Sequence, residues 1–256
     1  MQLRHVVRQH CLSLLRGTPL ESLVRNASQQ VFSPKGALND KLTKKLIRQT
    51  CRTDFNCVDI GAYRGEILKA FLQYCPEGEI FAFEPIPENS RFLRHKFPKV
   101  RVFDTAVAAR TGTTDFFVAT GRPARSGLLR QAYPNPEEKV EIIRVNVDLL
   151  DNLIDNGTPI NFIKIDVEGA EFDVLTGAKR IIRQYQPILL FEHGPVATNS
   201  EKTPSSQFYD LIDVEFNYRI YPLRQWDNRS TPLSHSQFLN AVSSCRDYYF
   251  VAYSSK

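Results

Sequence analysis

Along the chain, short and almost wholly apolar runs alternate with longer stretches whose apolar residues recur every three or four positions. Runs of the first kind stand near 55–60, at 80–83 (I-F-A-F) and at 100–104, and stretches of the second kind occupy 65–74 and 87–96. This predicts strand, helix, strand, helix, strand, the βαβ alternation of a parallel sheet. T-G-T-T-D-F-F-V at 111–118 predicts a hairpin arm, and V-E-I-I-R-V-N-V at 140–147 alternates like a strand. A short helix in V-D-L-L-D-N-L-I then leads to a buried-strand run at 160–165, a helix to about residue 184, and a fifth strand in P-I-L-L-F-E-H. The remainder reads as helix 205–213, strand 217–222, a polar loop around Trp226, helix 235–243 and a last strand Tyr248–Tyr253 at the far edge of the sheet. Ahead of all this, helices near 3–16 and 38–51, separated by the turn-rich S-P-K-G around Pro34 and Gly36, predict an N-terminal helical cap over 1–50 before a catalytic domain over 51–256.

Composition narrows the class. A chain of 256 residues, 42% hydrophobic and 24% charged, suits one globular α/β domain with a small appendage. No apolar run reaches the length that spans a bilayer, and Arg and His interrupt the first residues where a secretory signal needs an apolar core, so a soluble cytoplasmic protein is expected. The five cysteines, at 11, 51, 57, 75 and 245, show no C-x-x-C or Cys/His spacing; neither a disulfide framework nor a zinc site is expected. The net charge of +5 is uneven, because residues 1–50 carry nine Lys/Arg against two Asp/Glu and leave −2 for the rest. That basic leader is either a solvated helix face or a contact for an anionic membrane or RNA.

The candidate chemistry begins at C-V-D-I-G-A-Y-R-G, residues 57–65, a strand that turns on two glycines into a helix. Gly61 and Gly65 allow a sharp turn and close backbone approach to a ligand. The spacing is not the G-x-G-x-x-G of a dinucleotide site, and Asp59 two residues before the first glycine repels phosphate. D-x-G-x-x-x-G with Tyr63 inside it favours a cationic cofactor, S-adenosylmethionine, over NAD; the other reading of Asp59 is a helix cap or turn former. An NAD-dependent oxidoreductase remains an alternative on these residues, as does an RNA-binding or RNA-methylating module.

Glu84 follows Gly65 by 19 residues, ends the second strand beside Pro85, and is the candidate ribose ligand. After the third strand, Asp104 and Ala106 are candidates for the adenine. Loop 119–139 has the length of a lid. At the end of the fourth strand, I-K-I-D-V-E-G-A-E gathers Asp166, Glu168 and Glu171, which are costly to bury unless paired or used. His193, after the fifth strand, is the candidate general base, with Asp166 and Glu168 beside it as catalytic candidates and Asp166 as the rival for the proton. The acids at 166–171 lack the further spacing that fixes an octahedral ion, and no metal is expected.

Between residues 57 and 193, the segments V-D-I-G-A-Y-R-G, F-A-F-E-P, A-V-A-A-R-T-G and above all I-K-I-D-V-E-G-A-E-F-D-V-L resemble the FkbM-type S-adenosylmethionine-dependent methyltransferases. The resemblance implies a Rossmann-like class I methyltransferase sheet of seven strands, mostly parallel with the last strand antiparallel. It implies methyl transfer to a hydroxyl of a saccharide or natural product. No nucleic acid is expected as a partner, since RNA-binding aromatics in an RNP-like arrangement are absent. The resemblance assigns Asp59, Gly61 and Gly65 to the methionine end, Glu84 to the ribose, and Asp104 with Ala106 to the adenine edge. Where the family pattern has Asn, Asn and Asp, this chain has Tyr63, Asp104 and Ala109.

Overall fold

The computed structural model describes residues 34–121, 123–130, 139–194, 204–226 and 231–254. The chain divides after Leu46 into two compact units. The expected helix at 3–16 lies outside the described residues; the one expected at 38–51 is α1, Pro34–Thr50. Pro34 and Gly36 thus fall in the first turn of this helix, where proline has no N–H to lose.

Seven strands form the main sheet: β1 (Cys57–Ile60), β2 (Ile80–Phe83), β3 (Arg101–Phe103), β7 (Phe162–Ile165), β8 (Ile188–Glu192), β9 (Tyr218–Pro222) and β10 (Tyr249–Ser254). Their order is β3-β2-β1-β7-β8-β10-β9, all parallel except β10, which runs antiparallel to both neighbours. Each of β1, β2 and β7 is buried at all four positions, as expected of central strands covered on both faces. The chain leaves β1 toward β2 on one side and reaches β7 on the other, so the carboxyl ends of β1 and β7 mark the crevice where such sheets bind ligands.

Around this sheet lie α2 (Leu68–Tyr74), α3 (Pro87–Lys96), α4 (Leu150–Leu153), α5 (Glu171–Thr176), α6 (Lys179–Tyr185), α7 (Ser205–Asp210) and α8 (His235–Ser243). The single helix expected to run to residue 184 is broken into α5 and α6 at Gly177, where a β-carbon would stand 2.1 Å from the Ala108 carbonyl oxygen. A second sheet holds β4 (Thr105–Val107), β6 (Val140–Asp148) and β5 (Gly112–Ala119), in the order β4-β6-β5. The hairpin arm at 111–118 is β5, antiparallel to β6, but β4 had no separate sequence signal because only the bend at Asp104 parts it from β3.

Across the β1–β7 register, Asp59 faces Lys164. Their side chains are 1% and 8% exposed, and Lys164 Nζ lies 3.0 Å from Asp59 Oδ1. The same ammonium donates to the Gly61 carbonyl at 2.9 Å and stands 3.7 Å from Asp166 Oδ2. One buried cation therefore ties the first glycine turn to the acid at the end of β7. Removing one partner of such a pair leaves the other charged and desolvated, a loss of about 3 to 5 kcal/mol. Lys164→Met is expected to lower the unfolding free energy in denaturant by about that amount, with part of it recovered when Asp59→Asn is added. A Lys164→Met protein as stable as the natural one would remove this pair from its central place.

Candidate active site

A cleft of about 540 Å³ opens at the carboxyl ends of β1, β2 and β7. Its floor is Ile60 and Gly61, one wall is Phe83 to Ile86, and the opposite wall is Asp166 to Glu168. Thr105 to Val107 of β4 and Phe116 of β5 line it as well. The near part of the loop after β5 completes it with Pro123, Ala124, Ser126 and Leu128. This loop is fastened down: Phe117 and Gly127 exchange backbone hydrogen bonds at 2.9 and 3.1 Å, and Ser126 Oγ accepts from the Ala119 N–H at 3.0 Å. Residues 131–138 of the expected lid lie outside the described residues.

Two backbone positions beside the cleft are left-handed without being glycine, Tyr63 at φ 47° and Glu168 at φ 58°. Such residues cost of order 1–3 kcal/mol and persist where their surroundings over-determine them. For Tyr63 the reason is local, since its N–H donates to Glu84 Oε2 at 2.8 Å. Gly61 is also left-handed, and a β-carbon there would stand 1.9 Å from the Asp166 carbonyl oxygen. The two turns bounding the cleft therefore touch through backbone. Gly65 serves packing instead of ligand approach, because a β-carbon on it would meet the Phe97 ring at 2.3 Å.

Glu84 is 4% exposed and lines the cleft. Beside the Tyr63 bond on Oε2, its Oε1 accepts from the Ile86 N–H at 3.1 Å and from Asn89 Nδ2 at 3.3 Å. Three of about four acceptor positions are thus filled from the protein, and the carboxylate is aimed with one position free for a ligand hydroxyl. Burial raises its pKa to about 7, against the lowering by those donors.

At the opposite wall, Asp166, Glu168 and Glu192 bring carboxylate oxygens within 4.8 Å of one another. Asp166 Oδ2 accepts from the Tyr249 hydroxyl at 2.5 Å. Burial works to raise the Asp166 pKa, but the Lys164 ammonium and hydrogen bonds from Glu192 and Tyr249 prevail and hold it below the usual carboxylate range. Glu192 goes the other way: burial and then the charges of Asp166 and Glu168 raise it well above the ordinary value. The two carboxyl groups are thus pushed in opposite directions, Asp166 toward the ionised form and Glu192 toward the protonated one. Glu171, 2% exposed, caps the turn by accepting from the Val167 and Gly169 N–H groups at 3.2 and 3.1 Å.

Among the candidates drawn from the sequence, Gly61, Tyr63, Glu84, Pro85, Ala106, Asp166 and Glu168 line this cleft together. Asp59, Gly65, Asp104 and His193 do not. Asp59 is neutralised beneath the floor by Lys164, so its charge is not presented to a cationic ligand. The Asp104 carboxylate is 59% exposed and pairs with Arg94 at 3.3 Å. His193 is 3% exposed, its ring stacked on Phe208 with centroids 4.1 Å apart and on Phe238 at 5.7 Å. Its Nε2 lies 2.9 Å from Ser205 Oγ, and burial lowers its pKa to about 4. Sequence reasoning missed Thr105 and Phe116, which reach the cleft through the second sheet, Leu128 in the loop after β5, and Lys164, whose one signal was a lysine inside a buried-strand run.

Residues 59–220 match the model of the methyltransferase FkbM domain. The chain belongs to this family, and the sheet order is that of a class I methyltransferase, with S-adenosylmethionine as the methyl donor. The oxidoreductase alternative raised by the glycine turn falls with this assignment. The chain is 27% identical over 178 residues to the 2-O-methyltransferase NoeI of Sinorhizobium fredii, covering 64% of this chain and 72% of that one. Among solved structures, it is similar to the plantazolicin methyltransferase BpumL in complex with SAH (9% identity, TM-score 0.48, 98% of this chain and 96% of that one). It is also similar to precorrin-6y C5,15-methyltransferase of Geobacter metallireducens (14% identity, TM-score 0.43, 84% and 86%).

The cleft fits such a donor on its own features. It offers an aimed, buried carboxylate for a sugar hydroxyl, an apolar slot between Ile86, Ala106, Phe116 and Leu128 for a flat base, and Glu168 opposite for a cationic end. Glu84→Gln is expected to weaken S-adenosylmethionine binding about ten- to hundredfold, the worth of a charge-assisted hydrogen bond, without unfolding the protein. Because the ionised carboxylate is the better acceptor, affinity in the natural protein should rise as pH passes through about 7. Calorimetry at pH 6 and pH 8 checks both points, and an equal dissociation constant in variant and natural protein would take Glu84 out of the site.

Glu171 supplies a stability test. Its folded pKa is raised by burial from 4.5 to about 7, so the folded state holds a proton that the unfolded state has lost, and stability falls as pH rises through that window. Glu171→Gln keeps the acceptor oxygen for both N–H groups. It should remove part of this fall, on the order of 2 kcal/mol between pH 5 and 8, in denaturant titrations at the two pH values. Parallel slopes for both proteins would contradict the assignment.

Proposed function

We propose that this chain is an O-methyltransferase acting on a hydroxyl of a saccharide or another small hydroxylated acceptor. The observation that carries the reading is the carboxylate cluster across from Glu84: Asp166, its pKa held down beside Lys164, and Glu168 on a left-handed turn, with Glu192 behind them and carboxylate oxygens of all three within 4.8 Å of one another. The resemblance to a 2-O-methyltransferase supports oxygen as the atom that is methylated.

S-adenosylmethionine, when bound, supplies an electrophilic methyl carbon whose bond to sulfur breaks as the bond to the acceptor oxygen forms. The chain's contribution is chiefly position, holding donor and acceptor in line, which accounts for much of the rate in such displacements. Glu84 fixes one end of the cleft and Asp166 the other. An alcohol is a poor nucleophile, but its proton becomes strongly acidic as the oxygen acquires its third bond. Asp166, though held below the ordinary carboxylate range, accepts that proton late in the step, and Glu192 steadies the resulting neutral acid by hydrogen bonding. His193, the other candidate base, has a neutral ring, but its burial under Phe208 and Phe238 favours a packing role.

A divalent ion is not needed for this scheme. Asp166 Oδ2 already meets the Lys164 ammonium at 3.7 Å and the Tyr249 hydroxyl at 2.5 Å, so its charge is partly offset without a metal.

Asp166→Asn is expected to leave S-adenosylmethionine affinity within a few fold and to lower turnover on the order of 10² or more, as for loss of general-base help. The assay is mass spectrometry of products from an oligosaccharide and natural-product panel with deuterated methyl donor. Methylation at nitrogen or carbon, or full turnover by Asp166→Asn, would defeat the proposal. Activity should also survive EDTA; loss in EDTA with recovery in Mg²⁺ would assign the acids to a cation instead.

A further inference from the structure

The cysteines at 51, 57 and 75 have no ligand spacing in the sequence, yet the fold gathers them at the end of β1 away from the cleft. Cys57 opens β1, Cys75 ends α2 as its C-cap, and Cys51 follows α1 directly. Their three sulfurs lie within 4.8 Å of one another, and Cys57 Sγ is 3.6 Å from Cys75 Sγ. A disulfide needs about 2.05 Å between sulfurs, whereas thiolates about 2.3 Å from a tetrahedral zinc stand about 3.8 Å apart. At 3.6 Å the Cys57 and Cys75 sulfurs share an S–H···S hydrogen bond instead of a disulfide, and they already stand near the separation of two ligands on one ion.

The burial of the set is uneven in a useful way. Cys57 and Cys75 are fully buried, while Cys51 is half-buried. An ion can enter from the Cys51 side, where solvent is at hand as a fourth ligand. Thiolates select Zn²⁺ and Cu⁺. Three thiolates leave a net charge of −1 on Zn²⁺ and −2 on Cu⁺, and the smaller charge suits a site with two buried ligands.

We propose that Cys51, Cys57 and Cys75 form a zinc site that joins the segment after α1 to the first strand and to the end of α2. Binding replaces three thiol protons, released to solvent, by three Zn–S bonds. The role is structural: the site stands at the amino end of β1 and the cleft at its carboxyl end.

The test uses the full-length protein, reduced and stripped of metal, titrated with Zn²⁺ against a chromophoric chelator and, in parallel, with Co²⁺ as a spectroscopic stand-in. One equivalent should bind, with the thiolate-to-Co²⁺ charge-transfer band of sulfur ligation. Cys51→Ser, at the half-buried position where folding is least at risk, should weaken Zn²⁺ on the order of 100-fold or more. Cys245→Ser, which removes an exposed cysteine outside the cluster, should leave the affinity unchanged. S-adenosylmethionine binding by each variant certifies that it is folded. No stoichiometric Zn²⁺ on the reduced protein, or equal affinity in Cys51→Ser, would overturn the site. So would a Cys57–Cys75 disulfide, found by non-reducing mass spectrometry, that forms in air even with Zn²⁺ present.

Discussion

Everything at the cleft rests on one buried cation. Lys164 is centred in a strand whose neighbours are Phe162, Ile163 and Ile165, a place where an unpaired ammonium could not be tolerated. It is held by Asp59 on the adjacent strand, by the Gly61 carbonyl, and more distantly by Asp166. These partners belong to two separate βα turns. The charge therefore couples the glycine turn to the acid that ends β7, and the contact of the Gly61 backbone with the Asp166 carbonyl completes the joint. An acid two residues before a glycine turn looks like a ligand for a cation, and it is one, but the cation is part of the protein.

The same joint sets the electrostatics of the two walls. Glu84 is pushed up to a pKa of about 7 by its burial, against the lowering by its hydrogen-bond donors and by the Lys164 charge. Asp166, next to Lys164, is held below the ordinary carboxylate range, and its charge helps to raise Glu192. Two carboxylate environments in one cleft thus differ in the direction of their pKa shifts, burial prevailing at Glu84 and the lysine with its neighbouring hydrogen bonds prevailing at Asp166.

Membership of the FkbM family fits the motifs from which it was first inferred, V-D-I-G-A-Y-R-G and I-K-I-D-V-E-G-A-E, both of which end strands at the cleft. The specific roles distributed along those motifs were less secure. Asp104 turned outward to Arg94 because the chain bends there from one sheet into the other. Gly65 answered to the Phe97 ring, and His193 to a stack of aromatic rings under the sheet's far half.

What the sequence by itself determined was the order of elements and the ends of the strands. Alternating periods are a local property, written residue by residue, and glycines and acids at strand ends mark where a parallel sheet opens. That sufficed for the order of the strands and the side of the sheet that carries Glu84 and Asp166, while the seven-stranded sheet with an antiparallel last strand came from the resemblance to the family. Only the tertiary structure decided partners. Whether Asp59 meets a ligand or Lys164, whether Phe116 faces a cleft, whether the 65–74 pattern starts at Gly65 or at Leu68, and whether Cys51, Cys57 and Cys75 meet at all depend on register and packing across long separations in the chain. Side-chain charge and protonation follow from those partners, which is why the chemistry of the site was less legible than its location.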